Sequence, residues 1–231
     1  NGGYASMSNL VSNSGVVASD VTGVGTARNE LPAAGYGIDK AIFAYGNTSG
    51  GKVSISNLVN SSGVIASDTT GVGTARSTPA GAGYGLDKAI FAYGNTSVTA
   101  VSNLVSNSGV VASDVTGVGT ARYGIAAARY GGDKAIFGYG NTDAAKVSIT
   151  NLVTNAGVIG SDVSGVGTAR DTANGGAGYG GDKAIFAWGH DGSNFLSMSN
   201  LVNNSGVVGS DVTGVGTTRF NTAGAGFSST A

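Results

Sequence analysis

Cysteine is absent from this 231-residue sequence, and histidine and tryptophan each occur once. The missing thiols exclude disulfides and thiolate metal sites, and a single histidine excludes a metal site built from several imidazoles. Charged residues make up only 11% of the chain, against about 25% in an average soluble domain. With 12 basic and 13 acidic residues the net charge is −1, so no basic surface is expected for a nucleic acid. No apolar run approaches the roughly 18 to 20 residues that span a bilayer, so membrane insertion is not expected.

Glycine is the residue in excess, with 42 copies, whereas proline occurs only twice. This ratio excludes collagen-like and proline-rich disordered chains, and it favours tight turns and closely approaching backbones. Hydrophobic residues reach 41%, and the length is ample for a buried core. The chain begins with Asn-Gly-Gly rather than Met, so we expect a processed product or part of a longer protein.

A nearly regular repeat of 46 to 49 residues runs through the chain as one predicted domain. Its motif Ser/Thr-Asn-Leu-Val occurs five times, at Asn9, Asn57, Asn103, Asn151 and Asn200. A second block starts at Asp20, Asp68, Asp114, Asp162 and Asp211 and ends at Arg28, Arg76, Arg122, Arg170 and Arg219. An aromatic follows at Tyr36, Tyr84, Tyr130, Tyr179 and Phe227. The segment Asp-Lys-Ala-Ile-Phe occurs only four times, from Asp39, Asp87, Asp133 and Asp182. The predicted repeats are about 1–28, 29–76, 77–122, 123–170 and 171–219, followed by 220–231.

Each repeat contains four short segments with the composition of β-strands, as the repeat 123–170 illustrates. These segments span 122–130, 134–139, 146–153 and 157–163. The segment 146–153 alternates apolar and polar side chains with a period of two. Gly131-Gly132 and Gly140-Asn141 supply turns, and no segment carries a capped helical pattern of ten or more residues. The sequence therefore predicts an all-β fold.

Four antiparallel strands in a repeat of this length indicate one blade of a β-propeller. A lone four-stranded sheet leaves apolar groups exposed on both faces, and radial stacking buries each face against the next blade. The expected fold is a five-bladed propeller of four-stranded antiparallel blades, in which the N- and C-terminal strands share the closing blade. A parallel β-helix is the alternative, although its repeat is usually half this length or less.

The repeat also resembles the kelch propeller repeat. The shared features are an arginine before a small apolar strand, a glycine turn, the sequence Asp-Lys-Ala-Ile-Phe-x-Tyr/Trp-Gly, and a valine-rich strand. This chain has one glycine where kelch repeats usually have two, at Gly46, Gly94, Gly140 and Gly189, and it has Val in place of the usual Trp in the fourth strand. The similarity of the copies to one another also resembles arrays in bacteriophage and environmental viral proteins. That resemblance implies a virion fibre or another extracellular structure.

The five-to-four mismatch has a structural meaning in a ring. The chain starts in the third strand of one unit and ends in the first strand of the next, so joining the ends gives five blades with one Asp-Lys-Ala-Ile-Phe strand missing. An empty slot would leave unpaired backbone groups on both sides. Residues 1–6 or 227–231 could fill it, the strand could lie outside this sequence, or another protein could supply it by strand addition.

The recurring charges are expected to be structural rather than catalytic. The five aspartates Asp20, Asp68, Asp114, Asp162 and Asp211 are expected to accept hydrogen bonds from nearby turn N–H groups. The five arginines Arg28, Arg76, Arg122, Arg170 and Arg219 are assigned the same structural role. The functional alternative is a ring of five equivalent binding sites.

The most distinctive loop lies in the fifth repeat and contains the candidate binding residues Trp188, His190, Asp191, Asn194 and Phe195. An aromatic plane beside Asp and Asn suits a sugar ring or a protein surface, and the alternative is that Trp188 replaces a packed tyrosine. No catalytic residue, metal or cofactor is predicted. The Gly176-x-Gly178-x-x-Gly181 pattern precedes no helix, so a dinucleotide site is not expected.

The sequence thus predicts a non-catalytic structural or adhesive module of an extracellular or virion fibre. Its expected partners are neighbouring subunits or a glycan or protein of a host surface, with no nucleic acid. The alternative is a soluble lectin-like propeller that binds glycans through its blade loops, and an enzyme ranks third.

Overall fold

A computed structural model describes residues 3–172 and 174–226 of the chain. Over these residues the fold is all-β, with strands and no helix, as the sequence predicted. The strands are β1 (Ala33–Tyr36), β2 (Lys40–Ala44), β3 (Asn47–Thr48), β4 (Gly51–Lys52), β5 (Ser56–Val59), β6 (Ala80–Tyr84), β7 (Lys88–Ala92), β8 (Ser102–Val105), β9 (Ala126–Tyr130), β10 (Lys134–Gly138), β11 (Thr150–Val153), β12 (Gly176–Tyr179), β13 (Lys183–His190) and β14 (Phe195–Val202).

The strands form four three-stranded antiparallel sheets and one small hairpin, β3-β4. Sheet 1 is β1-β2-β5, sheet 2 is β6-β7-β8, sheet 3 is β9-β10-β11 and sheet 4 is β12-β13-β14. The Lys-Ala-Ile-Phe strand is central in every sheet, where its apolar side chains are needed on both faces. In sheet 2 both Ile90 and Phe91 have no exposed surface, although they point to opposite faces of β7.

The fourth segment of each repeat pairs with its sheet only at isolated positions. In the repeat 123–170 the predicted segment 157–163 joins β11 through the pairs Val153–Ile159 and Thr150–Val163. Between them, the Asn151 side chain donates to the carbonyl oxygen of Gly160 at 3.0 Å. A side chain therefore occupies a backbone acceptor of this segment. Its pairing with β11 is less regular than the pairing expected of a fourth strand. The other three predicted segments of this repeat contain β9, β10 and β11 and extend beyond them.

Successive sheets pack through their first strands, in the order β1, β6, β9 and β12. Small residues permit this approach: a Cβ placed at Gly83 would lie 3.2 Å from the carbonyl oxygen of Gly35, and one at Gly176 would lie 2.5 Å from that of Ala127. The Gly37 N–H also donates to the carbonyl oxygen of Asp87 at 2.7 Å, which joins sheet 1 to sheet 2. Glycine is needed here because the backbones of neighbouring sheets nearly touch.

Five inner segments line a common space. They are β1, β6, β9, β12 and residues 223–226. A cavity of about 460 Å³ is lined at one end by Tyr36, Gly83, Arg129, Tyr179 and Gly226. A second cavity, of about 180 Å³, is lined by Ala33, Gly81, Ala127, Gly176 and Gly224. The first strands of the four sheets and residues 223–226 therefore border the same two cavities.

The predicted closing strand reaches residues that the structure does not describe. Phe227 and the rest of 227–231 lie outside the described residues, as do residues 1 and 2 and one position of the predicted repeat 171–219. Among the described residues, no helix is long and apolar enough to cross a bilayer.

Candidate assembly site in a split repeat

A polar network ties the beginning of each sheet to its third strand and fourth segment. In sheet 1 the carboxylate of Asp68 accepts bonds from the Thr26 N–H (3.0 Å), the Thr26 hydroxyl (2.6 Å) and the Asn57 amide (2.9 Å). Arg28 donates to the Asn57 side-chain oxygen at 2.5 Å and to the Thr26 carbonyl at 3.2 Å. Desolvation acts against ionisation of Asp68, but the bonds from Thr26 and Asn57 outweigh it and hold the pKa of the carboxyl below its ordinary value.

The same network is complete in all four sheets. Its members are Thr26, Arg28, Asn57 and Asp68; Thr74, Arg76, Asn103 and Asp114; Thr120, Arg122, Asn151 and Asp162; and Thr168, Arg170, Asn200 and Asp211. Arg76, Arg122 and Arg170 have no exposed surface. Four of the five recurrent aspartates thus accept a turn N–H from a threonine 40 to 43 residues earlier.

An aromatic ring links each sheet to the next. Tyr45, which follows β2, lies beneath the Arg76 guanidinium at 3.9 Å and meets the edge of Phe91 at 5.7 Å. Its N–H donates to the Ile55 carbonyl at 2.9 Å, and its hydroxyl points to the carbonyl of Val72 at 3.4 Å. Tyr93 and Tyr139 are equivalent, since they lie beneath Arg122 and Arg170 and contact Phe137 and Phe186. We call this arrangement the aromatic anchor.

The anchor requires an unusual backbone. Tyr45, Tyr93, Tyr139 and Trp188 all have positive φ, between 58° and 64°. Such a conformation is a genuine outlier for a bulky side chain. Its recurrence at the same place in four sheets means that the surrounding contacts enforce it. Trp188 lies beneath Arg219 at 5.0 Å, so it occupies the position that tyrosine has in the other sheets.

One further repeat, which we call the split repeat, is divided between the two ends of the described chain. Residues 5–21 form an N-terminal segment that supplies its third and fourth parts, through the pairs Ser8–Val21 and Val11–Val17. Asn9 donates to the Asp20 carboxylate at 2.8 Å, as the equivalent asparagines do in the complete sheets. This half of the polar network is therefore already formed.

Residues 217–226 form a C-terminal segment that supplies the beginning of the same repeat. Arg219 pairs with Leu196, in the same way that Arg28 pairs with Ala5. Its guanidinium donates to the Thr217 carbonyl at 3.2 Å, and it is exposed while its equivalents are buried. Among the described residues, no hydrogen bond joins Thr217 or Arg219 to Asn9 or Asp20.

The N-terminal segment docks on sheet 1 but not on sheet 4. A Cβ at Gly63 would meet the side chain of Leu10, so the contact with sheet 1 is formed. Tyr36, Tyr84 and Tyr130 are 5% exposed or less and contact the turn of the next repeat, whereas Tyr179 is 37% exposed. Its expected neighbour, Gly15, has nothing within 4 Å of its Cβ position. The split repeat is therefore open on the side of sheet 4.

The sequence-predicted loop forms an aromatic cluster that does not include Trp188. His190 packs against Phe195 at 5.3 Å and against Phe220 at 5.8 Å, and the two phenylalanine rings stack at 6.2 Å. The Asp191 carboxylate accepts the N–H groups of Ser193 and Asn194, both at 2.7 Å. Asp191 and Asn194 thus hold the turn between β13 and β14, while Phe195 is 55% exposed.

Sequence analysis missed two kinds of site residue. The threonines that donate to each aspartate stand in the same motif as the arginines, and their recurrence was the available signal. Phe220 carried only a weak signal, because the residue after the repeat arginine is aromatic in two of five copies, at Tyr123 and Phe220. It joins the cluster only because the C-terminal segment lies beside β14.

No protein-family model matches this chain, and no curated protein matches it. Among the described residues, no three His, Cys, Asp or Glu side chains are grouped closely enough to hold a metal ion.

Proposed function

We propose that this chain is a non-catalytic structural or adhesive module of an extracellular or virion-surface assembly. The proposed fold is a kelch-like five-bladed β-propeller in which the split repeat is the fifth blade. The ring is supported by the two cavities that the first strands of the four sheets and residues 223–226 line together. The repeated engagement of the charged side chains in the same network supports a structural role over a catalytic one.

One observation carries the proposal: the split repeat presents two complementary half-networks. Asn9 donates to Asp20 in the N-terminal segment, and Thr217 and Arg219 are exposed in the C-terminal segment. Together they contain every group of a network that is complete four times elsewhere. An open sheet edge and unpaired polar groups favour association with another chain. The proposed partners are neighbouring subunits or a host-surface protein or glycan.

Light scattering and electron microscopy of one sample, over a wide concentration range, test this function. We expect particles larger than the monomer, built through the split repeat. Asp20→Asn should weaken their formation, while Asp39→Asn, in the exposed turn between β1 and β2, should leave it unchanged. A monomer at all concentrations, with no change on Asp20→Asn, would contradict assembly between subunits.

The aromatic cluster favours a second function, which is glycan binding by a lectin-like propeller. The exposed Phe195 ring, stacked on Phe220 beside His190, is a surface on which a sugar ring can pack. A glycan array should then detect ligands that are lost with Phe195→Ala and retained with Ile38→Ala, an exposed apolar residue in another repeat. Equal binding by both variants would place any glycan site elsewhere.

A further inference from the structure

A cavity of about 210 Å³ lies where the N-terminal segment meets sheet 1. Its lining includes Met7, Val24, Arg28 and Phe43. In the repeat numbering these residues correspond to Ile55, Val72, Arg76 and Phe91. Those four are the residues that bind the N–H, the hydroxyl, the ring face and the ring edge of Tyr45. The cavity is thus an aromatic anchor site without its ring.

A strand position adjoins this cavity. In sheet 1 the strand β5 pairs with β2 on one side and with the fourth segment on the other. Residues 8–11 pair only with the fourth segment at Val17 and Val21, so within the described chain their other edge has no strand. The opposite wall is formed by residues 223–226. Cβ positions at Gly224 and Gly226 would lie near the carbonyl oxygens of Gly176 and Gly178 on β12, just as those at Gly81 and Gly83 on β6 would lie near the carbonyl oxygens of Ala33 and Gly35. A central strand is therefore the missing element.

A third contact marks where such a strand begins. Gly37, Gly85 and Gly131 each donate an N–H to the carbonyl of the aspartate that precedes the next sheet's central strand, at 2.7 Å in all three cases. Gly180 is the fourth member of this series, and the structure shows no corresponding bond from it within the described chain. Its exposed N–H lies at the open side of the split repeat.

We propose that this slot binds an extended segment of the sequence type Asp-Lys-Ala-Ile-Phe-Ala-Tyr-Gly, supplied by a partner in which that segment is free. This inference rests on the proposed assembly function and names the chemistry of the partner. Continuity with the existing interfaces carries it, because the slot repeats the geometry of four occupied positions. The aspartate accepts the Gly180 N–H, the strand pairs with residues 8–11, and the tyrosine ring enters the cavity beneath Arg28.

The occupant's remaining side chains are also defined by the four filled positions. Its phenylalanine takes the place of Phe91 or Phe137, which meet the preceding sheet's aromatic ring, and so contacts Trp188. Its alanines and isoleucine take the places of residues with no exposed surface in sheet 2, such as Ala89 and Ile90. A polar or bulkier strand does not fit a position packed this closely.

The test uses a fluorescent peptide with the sequence of residues 87–94 and the purified chain. We expect binding, with at least tenfold weaker affinity for the same peptide carrying alanine in place of tyrosine, since the ring supplies the anchor contacts. On the protein side, Phe43→Ala should weaken binding by a similar factor. Val158→Ala, which removes an exposed apolar side chain in the repeat 123–170, away from the slot, should leave it unchanged. Circular dichroism and thermal melting first establish that both variants fold.

Hydrogen exchange then locates the peptide. Protection of the amides of residues 8–11 and of Gly180 is the expected pattern. Equal affinity of the two peptides, or no binding by the folded chain, would overturn the inference even if light scattering showed assembly. Peptide binding by a chain that stays monomeric would support the slot while counting against self-assembly. Dimers that do not bind the peptide would show that a second copy already fills the slot. That result would also overturn the proposal that a free segment occupies it.

Discussion

Replacing one aspartate in a complete network and its equivalent in the split repeat gives a direct measure of the network's contribution. Asp114 accepts three side-chain and backbone donors, the Thr74 N–H (3.0 Å), the Thr74 hydroxyl (2.6 Å) and the Asn103 amide (2.9 Å). Asp20 is exposed, as Asp114 is, but among the described residues it accepts one bond, from Asn9 at 2.8 Å. Asp114→Asn and Asp20→Asn are therefore chemically identical changes in complete and incomplete surroundings.

The expected magnitude follows from the donors. Each hydrogen bond to a charged group contributes about 1.5 to 3 kcal/mol, and asparagine keeps one acceptor oxygen while turning the other into a donor. We expect Asp114→Asn to lower the free energy of unfolding by about 2 to 4 kcal/mol, and Asp20→Asn by less than about 0.5 kcal/mol. For a chain of this size the first loss corresponds to a fall in Tm of roughly 5 to 15 °C.

Urea unfolding and thermal melting at neutral pH, at concentrations where the chain is monomeric, measure both losses. The pKa of Asp114 lies below its ordinary value, because bonds from Thr74 and Asn103 outweigh the opposing desolvation. The stability that its charge supplies is thus present above pH 3.8 and is lost as the pH falls through the lower folded value. The gap between wild type and Asp114→Asn should shrink in that acidic range. Equal losses from the two substitutions, or a gap that does not change with pH, would refute this reasoning.

Two further predictions concern the anchors and the inner segments. Burial, opposed by the neighbouring arginine, raises the pKa of Tyr45, Tyr93 and Tyr139 to about 12. Stability present below pH 10 should therefore be lost as the pH rises toward 12, by roughly 2 to 3 kcal/mol per ring. Alkaline unfolding followed by tyrosinate absorbance tests this, and Tyr93→Phe should remove about a third of the loss. Gly176→Ala should lower Tm by several degrees, since its Cβ would lie 2.5 Å from the Ala127 carbonyl, whereas Gly35→Ala, with its nearest atom at 3.7 Å, should be nearly neutral; similar melting of the two would contradict the tight packing.

The sequence was informative about strands because each repeat carries its own pattern. The Lys-Ala-Ile-Phe segments are apolar on both faces, which predicts a central strand, and β2, β7, β10 and β13 are central in their sheets. The fourth segments have the same β-branched composition, yet they pair only at isolated positions. Composition does not reveal that the Asn151 amide donates to the Gly160 carbonyl. The regularity of the fourth strand was therefore overestimated.

The candidate site was harder to predict because its contacts join distant parts of the chain. The sequence suggested nearby turn N–H donors for the aspartates, but the donor to Asp68 is Thr26, 42 residues earlier. Positive φ at Tyr45 is also invisible in a sequence, since tyrosine is among the residues least expected there. The stacking of Phe220 on Phe195 arises from tertiary packing alone.

The way in which repeat proteins are stabilised favours completion of the split repeat. Each complete sheet gains contacts from a neighbour on both sides, and stability is approximately a sum of such unit and interface contributions. Within the described part of the chain, the N-terminal segment contacts sheet 1 and the C-terminal segment contacts sheet 4. Completing the split repeat would add one polar network, one aromatic anchor beneath Arg28 and two strand edges at once. On the side of sheet 1 the groups around the cavity already hold the positions that their equivalents have around Tyr45, whereas Arg219 and Tyr179, on the side of sheet 4, still have to become buried. Part of the ordering cost is therefore met in the free chain before a matching strand binds.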